Sequence, residues 1–223
     1  MQRVTLSAPA IRLKLTCCSF VCATQVADSA LAVLRSYDTK WSDALSEKCL
    51  VWEACRATSA ATTLFDPIKI GAYGQNFADG GLLYNNPVQI LKQEATKMWP
   101  DRFDSSVLVS IGTGSAPGAS LEGNLKTIIL AMRDIVTGTE RAHNDFHKDN
   151  REMVQQDRFF RFNVYHGLAD IGLDEAEAFG PIASRTQTYL NLAKVQEEME
   201  VCIKKLCQPA IEGLSSQLST DGT

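Results

Sequence analysis

The sequence predicts an α/β fold, because short runs of β-forming residues alternate along the chain with longer segments of helical periodicity. The chain has 223 residues, of which 45% are hydrophobic. A chain of this size buries about 70% of the surface that it would expose unfolded, so it can form a core without disulfides or metal ions. We therefore expect a folded α/β domain rather than a disordered chain or a small disulfide-rich scaffold.

Three runs have the composition of strands: residues 19–24 (SFVCAT), 107–111 (VLVSI) and 159–164 (FFRFNV). The first two are almost continuously apolar. Runs of this kind are typical of strands that are covered on both faces, as in a parallel sheet between helices. The predicted architecture is therefore three-layered, with a sheet between two layers of helices.

Helical periods occupy the segments between and after these runs. After Asn86, a possible N-cap, and Pro87, apolar residues recur at spacings of three and four, which predicts a helix. A second helix is predicted around residues 125–136 and a third over about 184–206. The apolar positions of the three helices are, in order, Val88, Leu91, Ala95 and Met98; Leu125, Ile128, Ile129, Met132 and Val136; and Tyr189, Leu192, Val195, Met199, Cys202 and Leu206.

Two segments lack a clear apolar stripe. Residues 140–157 are highly charged, which predicts an exposed helix or a mobile surface segment. The polar stretch 213–223 has no core pattern, and we expect disorder there. We assign residues 1–208 to one folded domain and residues 209–223 to a polar tail.

Charge and cysteine content limit the possible environments and partners. The formal net charge is −4, and no stripe of Lys and Arg suggests a nucleic-acid partner. Seven scattered cysteines without a repeated C-x-x-C pattern indicate reduced, buried thiols. The apolar stretch 17–23 is short for a signal peptide, and no segment has the length of a membrane span. We expect an intracellular protein, cytoplasmic or peripherally membrane-associated.

The strongest candidate for chemistry is the tripeptide Asp79-Gly80-Gly81 within residues 52–87. An aspartate followed by two glycines presents a carboxylate at a sharp turn, and the missing side chains allow another element to approach closely. Such a carboxylate can act as a general base. Taken alone, however, Asp-Gly-Gly is most often only a turn.

The surrounding motifs favour the functional interpretation. In order, they are Trp52-Glu53-Ala54, Arg56-Ala57-Thr58-Ser59-Ala60-Ala61, Phe65-Asp66-Pro67, Phe77 to Gly81, Leu82, Tyr84, Asn85-Asn86-Pro87, Val109-Ser110-Ile111-Gly112-Thr113-Gly114, residues 158–164, Gly167-Leu168, Leu173-Asp174-Glu175 and Thr188-Tyr189-Leu190. This ordered series resembles the later part of a patatin-like phospholipase domain. The resemblance implies an acyl hydrolase of lipid esters that uses a Ser-Asp dyad, with Asp79 as the general base and with no metal or other cofactor. It also implies a lipid or membrane-surface ester as substrate.

The sequence departs from the family pattern in two motifs. It contains neither a G-x-S-x-G nucleophile turn nor the family's glycine-rich oxyanion loop. Residues 118–123, Ser115 and Ser59 are near misses with the wrong spacing or flanking residues. The chain therefore resembles a patatin-like sheet without its N-terminal nucleophile portion, and we expect no nucleophile within it.

Two hypotheses remain open. The chain is either part of an active lipid acyl hydrolase or a truncated or degenerate relative that acts, if at all, as an interaction module. A sheet without some of its strands would expose edges and apolar faces, so self-association through sheet edges is possible.

Two weaker patterns suggest ligands. Gly112-x-Gly114 follows a strand, as in a dinucleotide-binding loop, but Pro117 stands where the third glycine would be. His143 and His147 lie four residues apart, but their segment lacks the glutamate of H-E-x-x-H. The sequence favours a strand-end turn for the first pattern and a solvated helix face for the second.

Overall fold

The computed structural model describes residues 18–38, 45, 49–61, 64–114, 126–165, 168, 171 and 175–218. Within these residues, six strands and seven α-helices alternate along the chain, which confirms the predicted α/β class. The strands are β1 (Phe20–Gln25), β2 (Leu31–Arg35), β3 (Ile68–Ile70), β4 (Gln75–Asp79), β5 (Leu108–Ile111) and β6 (Phe159–Phe162). The helices are α1 (Val51–Thr58), α2 (Gly81–Tyr84), α3 (Val88–Met98), α4 (Lys126–Asp149), α5 (Arg151–Gln155), α6 (Phe179–Leu190) and α7 (Ala193–Leu218).

The chain divides into two compact units that alternate in sequence. Unit 1 comprises Met1–Pro87 and Gly123–Thr139, and unit 2 comprises Val88–Glu122 and Glu140–Thr223. Helix α4 contributes its first part to unit 1 and its last part to unit 2. Because the units alternate, no single linker separates them.

Unit 1 contains a four-stranded sheet with the order β2-β1-β4-β3, in which every described pair is antiparallel. The parallel arrangement predicted for the run at residues 19–24 is therefore wrong. Strand β1, which this run forms, is buried at Cys22, Ala23 and Thr24 because it is a central strand and helices α1 and α2 contact it. A continuous apolar run thus reflects burial on both faces and does not define strand direction.

The core of unit 1 lies between this sheet and helix α1. Phe77 and Ala23 from the sheet pack with Ala54 and Ala57 from the helix, and all four side chains are buried. The small helical residues allow α1 to lie close to β1 and β4. This packing fixes β4, the strand that ends at Asp79.

Unit 2 contains the parallel pair β5-β6, as expected for the run at residues 107–111. Its core includes Val88 and Ala95 of α3, Phe146 of α4, Met153 of α5 and Phe159 of β6. Helix α3 confirms the prediction made from the spacing after Pro87. Asn86, the predicted N-cap, instead donates its side-chain amide hydrogen to a backbone carbonyl of α4.

The charged segment 140–157 is helical, but it is not wholly exposed. Phe146 is 2% exposed and Met153 4%, and Asn150 between them is also buried. The Asn150 side-chain amide donates to the Phe146 carbonyl over 2.7 Å, and Lys92 donates to its side-chain oxygen. Asn150, a polar residue, therefore lies on the buried face of this segment, and hydropathy alone does not identify that face.

The long helix predicted over 184–206 consists of two helices, α6 and α7, which are separated by Asn191 and Leu192. Leu192, placed by sequence on the apolar stripe, is 49% exposed because it lies at this break. Tyr189, Val195 and Cys202 are buried, as their spacing predicts.

Helix α7 continues to Leu218 and so includes residues 209–218, the first part of the segment predicted as a polar tail. Residues 219–223 lie outside the described part. In the part of the chain that is described, no helix combines the length and apolarity needed to cross a membrane.

Candidate functional site

Asp79 is the last residue of β4 and is held through its backbone on both sides. Its N–H donates to the Ala60 carbonyl over 3.0 Å, and its carbonyl accepts the Thr24 hydroxyl at 3.0 Å. It also lies opposite Ala23 in the β1-β4 ladder. Three elements of unit 1 therefore fix the position from which the carboxylate projects.

The Asp79 carboxylate is half-buried and only partly engaged. Its Oδ1 accepts the Gly81 N–H at 2.7 Å, which closes an Asx turn over the start of α2. No hydrogen bond from another described residue reaches Oδ2. Within the described residues, one oxygen thus orients the carboxylate, while the other is left to accept a proton.

Gly80 allows the backbones of β1 and the Asp79 turn, residues 79–81, to approach closely. A Cβ at this position would lie 2.3 Å from the Cys22 carbonyl oxygen and 2.6 Å from its carbon. The backbone of Gly80 has φ −69° and ψ −22°, which any residue adopts easily. The requirement for glycine here is therefore one of space, which agrees with the close approach expected from the sequence.

The two asparagines after α2 attach this segment to helix α4. The Asn85 side-chain amide donates to the Thr139 hydroxyl oxygen at 2.7 Å, and that of Asn86 donates to the Thr139 carbonyl at 3.3 Å. Sequence spacing gives no signal for Thr24 or Thr139, because both partners are remote in the chain.

Ser59, the described serine among those that resemble a nucleophile, does not complete a dyad with Asp79. Ser59 is exposed, and its hydroxyl donates to the Cys55 carbonyl at 2.8 Å, within its own helix end. Ser115 and Ser120 lie outside the described residues. Within the described residues, no serine hydroxyl is hydrogen-bonded to the Asp79 carboxylate.

The glycine loop after β5 is accounted for by packing in unit 2. A Cβ on Gly112 would lie 2.3 Å from the Asn163 side-chain oxygen and 3.1 Å from a guanidinium nitrogen of Arg161. The same Asn163 oxygen accepts the Gly114 N–H at 2.8 Å. Arg161 is 8% exposed and also contacts Glu140 at 3.4 Å. These contacts support the strand-end turn over a nucleotide loop.

The histidine pair lies on α4, but only one member is solvated. His147 is exposed, whereas His143 is half-buried, with its ring centre 5.8 Å from that of Phe159. Burial, with a smaller effect of Arg161, lowers the pKa of His143 below its usual value. Among the described side chains, no group of three His, Cys, Asp or Glu residues is placed to hold a metal ion.

Comparison with known proteins gives a family for the segment that contains the Asp79 turn. The model of the patatin-like phospholipase family matches residues 12–92. Phospholipase A I of Arabidopsis thaliana is 31% identical over 133 residues, which cover 57% of this chain and 10% of that protein. Calcium-independent phospholipase A2-gamma of Mus musculus is 29% identical over 170 residues, which cover 70% of this chain and 21% of that protein.

A further relative carries a different functional name. Probable inactive patatin-like protein 9 of Arabidopsis thaliana is 31% identical over 100 residues, covering 39% of this chain and 26% of that protein. The chain thus spans between 10% and 26% of the length of these three relatives. The ordered motifs and the α/β fold agree with the family match, and residues 12–92 are similar to part of a patatin-like phospholipase domain.

Proposed function

We propose that Asp79 is the general base of a Ser-Asp dyad in a patatin-like lipid acyl hydrolase, and that the serine is supplied from outside these 223 residues. The observation that carries the proposal is the state of the carboxylate. Its Oδ1 is fixed by the Gly81 N–H at 2.7 Å, and its Oδ2 accepts no hydrogen bond from the described residues. A general base needs this combination of fixed orientation and an available lone pair.

The proposed reaction has two halves. In the first, Asp79 takes the serine proton as the serine oxygen attacks the ester carbonyl, and a tetrahedral oxyanion forms. When the oxyanion collapses, the alcohol of the lipid leaves with that proton and the acyl group stays on the serine. In the second, Asp79 takes a proton from water as the water attacks the acyl-serine, and it returns that proton to the serine oxygen when the fatty acid leaves. Neither half requires a metal ion.

The test compares the 223-residue chain with a product that includes any in-frame upstream G-x-S-x-G of its gene. A fluorophosphonate probe and release of fatty acid from phosphatidylcholine are the two measurements. We expect the short chain to be neither labelled nor active. In an active longer chain, Asp79→Asn is expected to lower kcat by about 10²- to 10⁴-fold, the range of a lost general base.

Asp28 provides a matched control. Its Oδ1 accepts the Ala30 N–H at 3.0 Å in the same two-residue geometry, but it lies exposed in the turn between β1 and β2. Asp28→Asn is expected to leave the rate unchanged. Equal activity of wild type and Asp79→Asn would contradict the proposal, and labelling of a serine in the short chain would contradict the external origin of the nucleophile.

A catalytically inactive interaction module is the second candidate. The absence of G-x-S-x-G from the sequence favours it, and so does similarity to a relative named as a probable inactive patatin-like protein. The same comparison separates the two candidates. If the gene has no in-frame upstream G-x-S-x-G and the protein releases no fatty acid, the inactive module is the correct interpretation.

A further inference from the structure

Thr24 contacts the Asp79 turn but has no part in the proposed proton transfers. Its side chain is 6% exposed, and its hydroxyl donates to the backbone carbonyl oxygen of Asp79 over 3.0 Å. In the β1-β4 ladder Ala23 lies opposite Asp79, and Thr24 lies opposite Ala78. Because successive side chains of a strand alternate between its two faces, Thr24 and the Asp79 carboxylate leave the sheet on opposite faces. Thr24 therefore acts on Asp79 through the backbone.

The carbonyl group that Thr24 holds is attached to the ring of the Asx turn. The Gly81 N–H donates to Asp79 Oδ1 at 2.7 Å, and this ring closes through the peptide bond between Asp79 and Gly80. Rotation of that peptide about the Cα–C bond of Asp79 would move the Gly81 N–H away from Oδ1. A hydrogen bond to the carbonyl oxygen opposes this rotation, so the Thr24 hydroxyl keeps the Gly81 N–H aligned with the carboxylate.

The partners of Asp79 differ in what they contribute. Ala60 accepts the Asp79 N–H through its backbone carbonyl, and Gly81 holds Oδ1 through its backbone N–H. Thr24 instead uses a side chain. A buried carbonyl needs a hydrogen-bond partner in any protein, so this contact also contributes to stability. A substitution at position 24 can remove it and leave the other two partners chemically unchanged.

We propose that Thr24 is a positioning residue for the Asp79 carboxylate. The inference rests on the proposed role of Asp79 as general base, and it adds the residue that keeps this base in its orientation. A general base acts within a narrow range of distances and angles, and a misplacement of about 1 Å lowers a rate by about 10²-fold. Because Thr24 contacts the backbone and not the carboxylate, loss of its hydroxyl should lower kcat and leave KM unchanged.

The first measurement is amide hydrogen exchange in the whole 223-residue chain, followed by nuclear magnetic resonance. Thr24→Val and Thr24→Ala both remove the hydroxyl, whereas Thr24→Ser retains it. When the hydroxyl is removed, exchange at Gly81 should become about fivefold faster relative to exchange at Phe77 of β4, the effect of one lost hydrogen bond. Thr24→Ser should keep the wild-type ratio. A purely structural role would speed exchange at both amides alike.

Thr58→Val is the matched control. The Thr58 hydroxyl donates to the Cys22 carbonyl over 2.7 Å, which is another bond from threonine to backbone in unit 1, but it does not involve residues 79–81. The exchange ratio should not change in this variant. An unchanged ratio in the hydroxyl-free variants, or an equal change in Thr58→Val or Thr24→Ser, would overturn the proposal. Failure of both hydroxyl-free variants to fold would assign the hydroxyl to stability and overturn it too.

The second measurement is release of fatty acid by the longer chain that carries an upstream G-x-S-x-G. Thr24→Val should lower kcat by about 10- to 100-fold at unchanged KM, and Thr24→Ser should retain the wild-type rate. An active longer chain whose kcat is unaffected by Thr24→Val would contradict the positioning role. If the longer chain is inactive, the proposed function fails, and the exchange ratio in the short chain still decides whether Thr24 orients the carboxylate.

Discussion

Replacing Gly80 with alanine tests why the Asp79 turn contains a glycine at this position. Two explanations predict opposite signs. If glycine is present for conformational freedom, alanine costs nothing, because φ is −69° and ψ is −22°. By restricting the unfolded chain, alanine would then stabilise the protein by about 0.5–1 kcal/mol. If glycine is present because there is no space, alanine must be destabilising.

The distances favour the second explanation. A Cβ on Gly80 would lie 2.3 Å from the carbonyl oxygen of Cys22 and 3.1 Å from its Cβ. That oxygen belongs to the backbone of central strand β1 and also accepts the Thr58 hydroxyl at 2.7 Å. Because the obstacle is an anchored backbone, the substitution should cost the upper part of the usual overpacking range, about 3 kcal/mol.

The assay is urea-induced unfolding followed by far-ultraviolet circular dichroism, with two glycines as controls. Gly74 has φ +60° and open space around it, so alanine there should cost about 1 kcal/mol from backbone strain alone. Gly138, inside α4 with open space, should become more stable by about 0.5–1 kcal/mol on the same substitution. A Gly80→Ala variant as stable as wild type would refute the steric argument.

Three further substitutions or treatments test other parts of the structure. Burial lowers the pKa of His143, so its contribution to stability is present above its ordinary pKa of about 6.5 and is lost as the pH falls through the lower folded value. Urea unfolding across that range should show this loss of stability, and it should be smaller in His143→Phe. Burial, with a smaller effect of nearby Glu53, raises the pKa of Cys49 to about 11. Iodoacetamide should therefore modify the exposed Cys55 in the native protein but Cys49 only after unfolding, as mass spectrometry will show. Asn85→Ala removes the 2.7 Å bond to Thr139 and should cost about 1 kcal/mol in thermal unfolding, a loss that should shrink in a Thr139→Val background.

Helix α3 shows where sequence reasoning works well. Its apolar residues follow one unbroken period after Pro87, and Val88 and Ala95 lie in the core. Strands β5 and β6 are also readily predicted from the sequence, because each is short, rich in β-forming residues and bounded by polar residues or glycine. Local composition and local burial agree in these elements, so no distant contact is needed to predict them.

The sequence-based predictions fail where a contact with a residue distant in the chain determines the structure. The direction of β1 depends on which strands flank it, and an apolar run is compatible with parallel or antiparallel neighbours. The buried stripe of α4 and α5 includes Asn150, which hydropathy assigns to solvent but whose amide is satisfied by the Phe146 carbonyl. A polar residue with a partner can lie in a core, and its partner is not visible in the local sequence.

The Asp79 turn has two structural requirements, one for space at Gly80 and one for a fixed carboxylate at Asp79. Gly80 is required by the approach of β1, and the Gly81 N–H holds the carboxylate that we propose as the base. The requirement for glycine at position 80 comes from packing alone, and it would persist in a relative that had lost its nucleophile. The hydrogen bond between Asp79 and Gly81 also serves the turn itself, because an aspartate bonded two residues ahead stabilises the start of α2 whether or not it takes a proton. The motif therefore identifies the fold of unit 1 more strongly than it identifies activity. The serine is what distinguishes a hydrolase from an inactive relative, and for this reason the proposed test compares chains with and without the nucleophile motif.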